Sequence, residues 1–186
     1  MNTSYHDLRR ISVLSLPEHI SRPFAVIDFE TTGLSAETGE IVEFAAVKVS
    51  NMEISLKLAS LCRPHGYISR ATAELTGITA PMVAGYPYFE NFLPILLDFL
   101  DGCVISAHNA PFDISFLLKY TNAMKLDFKP DIFCTLAASR ILFPGLKSRS
   151  LGNLISHLGI SNDTPHRALG DAEATAQLLV HMMKNC

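Results

Sequence analysis

The sequence predicts an α/β fold with a mixed central sheet flanked by helices. Three consecutive strand-like segments open the patterned part of the chain, and helical and strand-like segments then alternate to its end. The 186 residues, 48% hydrophobic and 18% charged, suffice for one full core and argue against disorder.

Each element has a local reason. Residues 1–22 carry no strong pattern and are expected to be a leader of unassigned structure, with residues 23–186 forming the single folded domain. Phe24 to Phe29 is an apolar run of strand length, followed by a loop rich in Thr, Ser and Gly. Ile41–Val49 and Glu53–Leu61 read as strands joined by a hairpin turn at Ser50-Asn51-Met52. Arg70–Leu75 is a short helix stopped by Gly77. Between Tyr88 and Asp101, apolar Phe89, Phe92, Leu93, Leu96, Leu97 and Leu100 recur at helical spacing, which suits a core-facing helix that includes Pro94. Cys103–Ala107 is a compact strand, and Pro111 sits at the first turn of a helix running to about Tyr120. Helices are expected over Ile132–Leu142, Leu151–Leu158 and Asp171–Lys184.

Composition bounds the function. A net charge of −3 and a pI near 6.1 exclude a protein that coats duplex nucleic acid, but leave room for a locally held nucleic-acid end. No apolar run approaches the roughly 20 residues of a membrane span. The stretch after Arg9-Arg10 is too short for a signal-peptide core, so a cytoplasmic protein with no membrane partner is expected. Cys62, Cys103, Cys134 and Cys186 form no C-x-x-C pair and read as reduced structural thiols.

The chemistry is concentrated in Asp28-Phe29-Glu30-Thr31-Thr32-Gly33-Leu34. Residues i and i+2 of a strand share a face, so both carboxylates point one way from an apolar strand. Desolvating two acids side by side is costly unless a cation compensates. Asp113 lies in the first turn of the helix after Ala107, and Asp171 opens the last helix with His166 five residues before it. Strand ends and first helical turns are where α/β folds assemble sites. Two unit charges about 4 Å apart repel by roughly 4 kcal/mol at an effective dielectric of about 20. Two divalent cations would offset four gathered carboxylates, and all-oxygen donors suit Mg²⁺ or Mn²⁺ better than Zn²⁺. Taken singly, each residue has a plainer explanation: a solvated strand end for Asp28 and Glu30, helix-dipole acids for Asp113 and Asp171, a loop histidine for His166. Arg140, Lys147, Arg149 and Arg167 read equally well as a phosphate track or as ordinary surface charge.

Together, Asp28–Leu34, His108-Asn109-Ala110-Pro111-Phe112-Asp113 and His166-Arg167-Ala168-Leu169-Gly170-Asp171-Ala172 resemble the three motifs of the DEDDh 3′–5′ exonuclease family. The branch is that of the bacterial DNA polymerase III proofreading subunit and its stand-alone relatives, and the resemblance runs from about Pro23 to Met182. It implies a ribonuclease H-like fold and stepwise release of nucleoside 5′-monophosphates from a free 3′ end. It implies that Asp28, Glu30, Asp113 and Asp171 hold two Mg²⁺ (or Mn²⁺) ions, with His166 as the general base. It further implies that Thr31, Thr32, Leu34, His108, Asn109 and Phe112 surround the terminal nucleotide. One position departs: proofreading subunits often carry His where this chain has Thr76. DNA is favoured over RNA, with single-stranded or frayed ends preferred. An RNA exonuclease and a non-catalytic binding module are the alternatives. A polymerase or repair partner is compatible, though the chain stops fifteen residues after Asp171, which favours a stand-alone enzyme.

Overall fold

The computed structural model describes residues 2–186. Six strands form one sheet: β1 (Arg10–Ile11), β2 (Phe24–Thr31), β3 (Ile41–Ser50), β4 (Glu53–Leu61), β5 (Val104–Ala107) and β6 (Ile132–Cys134). Their order is β1-β6-β5-β2-β3-β4. β2, β3 and β4 make an antiparallel meander, whereas β2, β5, β6 and β1 run parallel, so the mixed sheet expected from the sequence is present. The helices are α1 (Arg70–Thr76), α2 (Ala80–Val83), α3 (Phe89–Leu100), α4 (Ala110–Ala123), α5 (Thr135–Leu142), α6 (Leu151–Leu158) and α7 (Ala168–Lys184).

Alternation along β2 divides the core. Ala25, Ile27 and Phe29 face α3 and α4, where they join Phe44, Phe89, Leu93, Leu96, Phe116 and Leu117. Phe24 and Val26 face the other way, onto α7, with Val47, Val104, Ala172, Ala176 and Leu179. Each fully buried Phe, Leu or Ile contributes about 2 kcal/mol relative to exposure. Ala168, Ala172 and Ala176 fall on one stripe of α7 and are buried, which lets that helix lie close on the sheet. The face carrying Val26 continues to Asp28 and Glu30. The first turn of α7 therefore lies on the same side of the sheet as both acids.

The hairpin turn is as expected: Asn51 and Met52 both adopt left-handed backbone (φ 53° and 60°), the requirement of a two-residue turn matching strand twist. Other boundaries move. Ile132–Leu142 is not one helix. Ile132-Phe133-Cys134 pairs with Ile105-Ser106-Ala107 on one side, Arg10-Ile11 pairs with Ile132-Phe133 on the other, and the helix begins at Thr135. Sheet hydrogen bonds from two neighbours override the helical spacing of the run. α7 starts three residues before Asp171, because a side chain from β3 caps its first turn.

Residues 2–22, within the segment expected as a leader, hold two short 3₁₀ helices (Tyr5–Asp7 and Val13–His19) and strand β1; Met1 lies outside the described residues. Leu8, Ile11, Val13 and Leu16 are buried. The amide of Ile132 donates to Arg9 O, and Asn122 bonds the backbone of Thr3 in both directions. Cys62 and Cys103 are buried, Cys134 is half-buried and Cys186 exposed; all four are free.

Candidate active site

β2 overhangs its parallel neighbour. Its pairing with β5 covers Phe24 to Val26 only, so the backbone beyond loses its ladder partner on that side. The amide of Phe29 is instead satisfied by Asp113 Oδ1 at 3.1 Å, from the first turn of α4. A buried unpartnered N–H would be costly, so this bond both completes the strand and fixes Asp113 beside Asp28. Asn109, in left-handed conformation (φ 72°, ψ 49°), turns the chain from β5 into α4.

Asp28, Glu30 and Asp171 converge: one carboxylate oxygen from each lies within 4.8 Å of the others. Asp171 is held by Asn162 Nδ2 at 2.5 Å and by the backbone amide of His166 at 3.2 Å. Asp113 stands outside this three-acid group but is buried against it. Burial raises the pKa of all four. For Asp28, desolvation pushes the carboxyl well above its ordinary range, and Asp113, Asp171, Glu30 and Glu43 push it further. Desolvation followed by Asp171 and Glu43 takes Glu30 to about 7, against the pull of Arg167. Asp113 rises to about 8 through desolvation, partly opposed by the Phe29 amide. Asp171 is also raised, chiefly by burial. Acids that resist ionisation because they share a desolvated corner are a fitting receptacle for a hard divalent cation.

His166 is exposed, its backbone left-handed at φ 59°, and no hydrogen bond holds its imidazole among the described residues. A groove of about 580 Å³ leads from His166 and Asp171 along α6, past Ser150, Leu151, Ile155 and Asn162. On the other flank, the loop after β2 is fastened at several points. Thr31 Oγ1 donates to Gly33 O, and Thr32 Oγ1 accepts from the Glu40 amide. Glu40 in turn accepts from the amides of His65 and Gly66, while Thr72 Oγ1 donates to Thr32 O. Leu34 rides on this fastened loop with 90% of its surface exposed. Phe112 is half-buried against Phe116. His108 has no free ring nitrogen: Nε2 donates to Arg149 O at 2.9 Å and Nδ1 meets Thr135 Oγ1 at 3.0 Å. Burial lowers its pKa, so it is a neutral strut between β5, α5 and the segment before α6. Thr76 is buried, its hydroxyl bonding Thr72 O and the Ile78 amide at the end of α1.

The Exonuclease (RNase_T) family model matches residues 25–179. The DNA polymerase III subunit epsilon of Aquifex aeolicus is 36% identical over 162 residues, covering 87% of this chain and 80% of the relative. The chain belongs to the exonuclease family. The PolC-type DNA polymerase III of Halalkalibacterium halodurans is 42% identical over 163 residues, but this exonuclease chain spans only 11% of that protein. Among solved structures, exonuclease X in complex with 5′ overhanging duplex DNA superposes with a TM-score of 0.71 at 33% identity, covering 87% of this chain and 92% of the other. The family resemblance and the ribonuclease H-like fold read from the three motifs are borne out.

Sequence reasoning missed the residues that hold this exonuclease's site in place. Glu43 lies on β3 directly opposite Glu30 and is buried. Its carboxylate takes a two-pronged ion pair from Arg167, Nη2–Oε1 at 2.6 Å and Nε–Oε2 at 3.0 Å, and accepts the Ala168 amide at 2.9 Å. Asn162 was missed as well. A signal for Glu43 existed: it is the lone acid in the apolar run Ile41 to Val47, where an unpaired charge is untenable. Of the four cations offered as a phosphate track, Arg167 is spent on Glu43, and Arg149 donates to the carbonyls of Phe143 and Pro144.

Proposed function

We propose that this exonuclease removes nucleotides one at a time from DNA 3′ ends, preferring single-stranded or frayed ends, and releases nucleoside 5′-monophosphates. The observation that carries the reading is the convergence of Asp28, Glu30 and Asp171, with carboxylate oxygens within 4.8 Å and pKa values raised. Two Mg²⁺ (or Mn²⁺) ions held by these three acids and Asp113 would neutralise charge on the phosphoryl oxygens and the leaving 3′ oxygen. His166 takes one proton from the attacking water as its oxygen bonds to phosphorus; the bond from phosphorus to the 3′ oxygen breaks, and that oxygen is protonated from solvent. An exposed imidazole free of other hydrogen bonds suits that task. The proposed seat of the terminal nucleotide is the fastened loop bearing Thr31, Thr32 and Leu34, with Asn109 and Phe112 beside it and His108 as the strut behind. DNA is favoured because exonuclease X is described with a DNA duplex, and a polymerase is the proposed partner because relatives are described as polymerase III epsilon and PolC-type proteins. The cytoplasm is the proposed compartment; among the described residues, no helix is long and apolar enough to cross a membrane.

The test uses 5′-labelled single-stranded DNA, duplex DNA and RNA of one sequence. Stepwise shortening of DNA that requires Mg²⁺ is expected, and Asp28→Ala should slow it on the order of 1,000-fold, equivalent to about 4 kcal/mol. Faster shortening of RNA would reassign the substrate. Shortening that survives Asp28→Ala would remove the reading.

A further inference from the structure

We propose that the Glu43–Arg167 pair is a positioning clamp that sets His166 for proton transfer, an inference that rests on the general-base reading of His166. The loop before α7 has to deliver an exposed side chain in an unfavoured conformation, since non-glycine residues seldom adopt positive φ. His166 does so at φ 59°, and its neighbour Arg167 returns at once to extended backbone (φ −127°, ψ 127°). Something must hold that reversal, and the contacts on the two sides of His166 are unequal. Before it, Asn162 and Thr164 fold over the start of α7 so closely that a Cβ at Gly170 would collide with Thr164 Oγ1. At His166 itself, among the described residues only the backbone amide is bonded, to Asp171. After it, the guanidinium of Arg167 grips Glu43 with Nε and Nη2, and the same carboxylate caps the Ala168 amide.

The anchor of this grip is unusually firm. Glu43 sits on a strand paired on both sides and is buried, while Arg167 keeps 39% of its side-chain surface exposed. The rigid partner is thus the carboxylate, and the held partner is the residue next to His166. A planar fork on a carboxylate fixes orientation as well as distance, which a point charge does not. Arg167 also spends its cation here, so it is not free to bind a phosphate.

The experiment measures steady-state cleavage of 5′-labelled single-stranded DNA by the full chain and by Arg167→Gln, His166→Ala and the double variant, with Mg²⁺ titrated in each. Arg167→Gln is expected to lower kcat on the order of 10- to 100-fold, as misplacement of a reacting group does. KM at saturating Mg²⁺ should stay unchanged, and no further loss should appear in the His166→Ala background. Arg167→Lys keeps the charge but not the fork and should show the same split, more weakly. An equal loss in both backgrounds, or wild-type kcat in either Arg167 variant, would overturn the clamp. Wild-type turnover in His166→Ala alone would instead remove the general-base reading, and the clamp with it. Collapse in His166→Ala with additive loss in the double variant would leave the base standing and remove only the clamp.

Discussion

Glu30 and Glu43 face each other across β2 and β3, yet they live in opposite electrostatic worlds. Glu43 has a guanidinium fork and a helix-terminal amide, so its charge is paired within the chain. Glu30 is desolvated and crowded by Asp171, and its pKa climbs to about 7. Like charges directly opposite in a sheet are destabilising, and one of the two is compensated internally while the other is not. The difference separates an acid that supports the fold from one that awaits something outside it.

That contrast can be broken by parallel substitutions. Glu30→Gln removes a repelling charge and a proposed cation ligand, so cleavage should fall on the order of 100-fold or more while the metal-free protein is no less stable. Glu43→Gln keeps the shape but loses the ion pair, so unfolding in urea should show a loss of about 2 kcal/mol. If Glu43→Gln were neutral to stability and Glu30→Gln destabilising, the two roles would be reversed. A smaller effect is expected at Gly170, where an added methyl meets both the Oγ1 and the carbonyl oxygen of Thr164. Gly170→Ala should cost about 1–2 kcal/mol in the same assay, with the loop before α7 forced outward. An unchanged midpoint would show that the loop yields freely and is not held against the helix.

The acids and the histidine proposed for the chemistry stand out in the sequence, whereas the residues that hold them do not, for a physical reason. Asp28, Glu30, Asp113 and Asp171 stand at strand ends and first helical turns, where spacing along the chain determines which way a side chain points. Glu43 and Arg167 are 124 residues apart, and nothing local marks them as partners. β6 was hidden likewise: Ile132-Phe133-Cys134 is too short to show a period of its own, and its strand character comes from β5 and β1. The buried core of residues 2–22 escaped because Leu8, Val13 and Leu16 lie in or beside 3₁₀ turns, which have no clean periodicity, and Ile11 sits on a strand of only two residues.

Asp28, Glu30, Asp113 and Asp171 form a desolvated corner proposed to hold a divalent cation. Without one, the folded chain retains protons on Glu30 up to about pH 7 and on Asp113 up to about pH 8, whereas the unfolded chain releases them near pH 4. The folded state therefore binds more protons between about pH 4 and 8, and its stability falls as pH rises through that window. Thermal unfolding from pH 5 to 8.5, in chelator and in Mg²⁺, measures this directly. The chelated protein should lose Tm as pH rises, and Mg²⁺ should restore it most at the alkaline end. Asp28→Asn should have a flatter profile and little response to Mg²⁺. A chelated Tm that rises with pH, or an equal Mg²⁺ response in Asp28→Asn, would contradict the account.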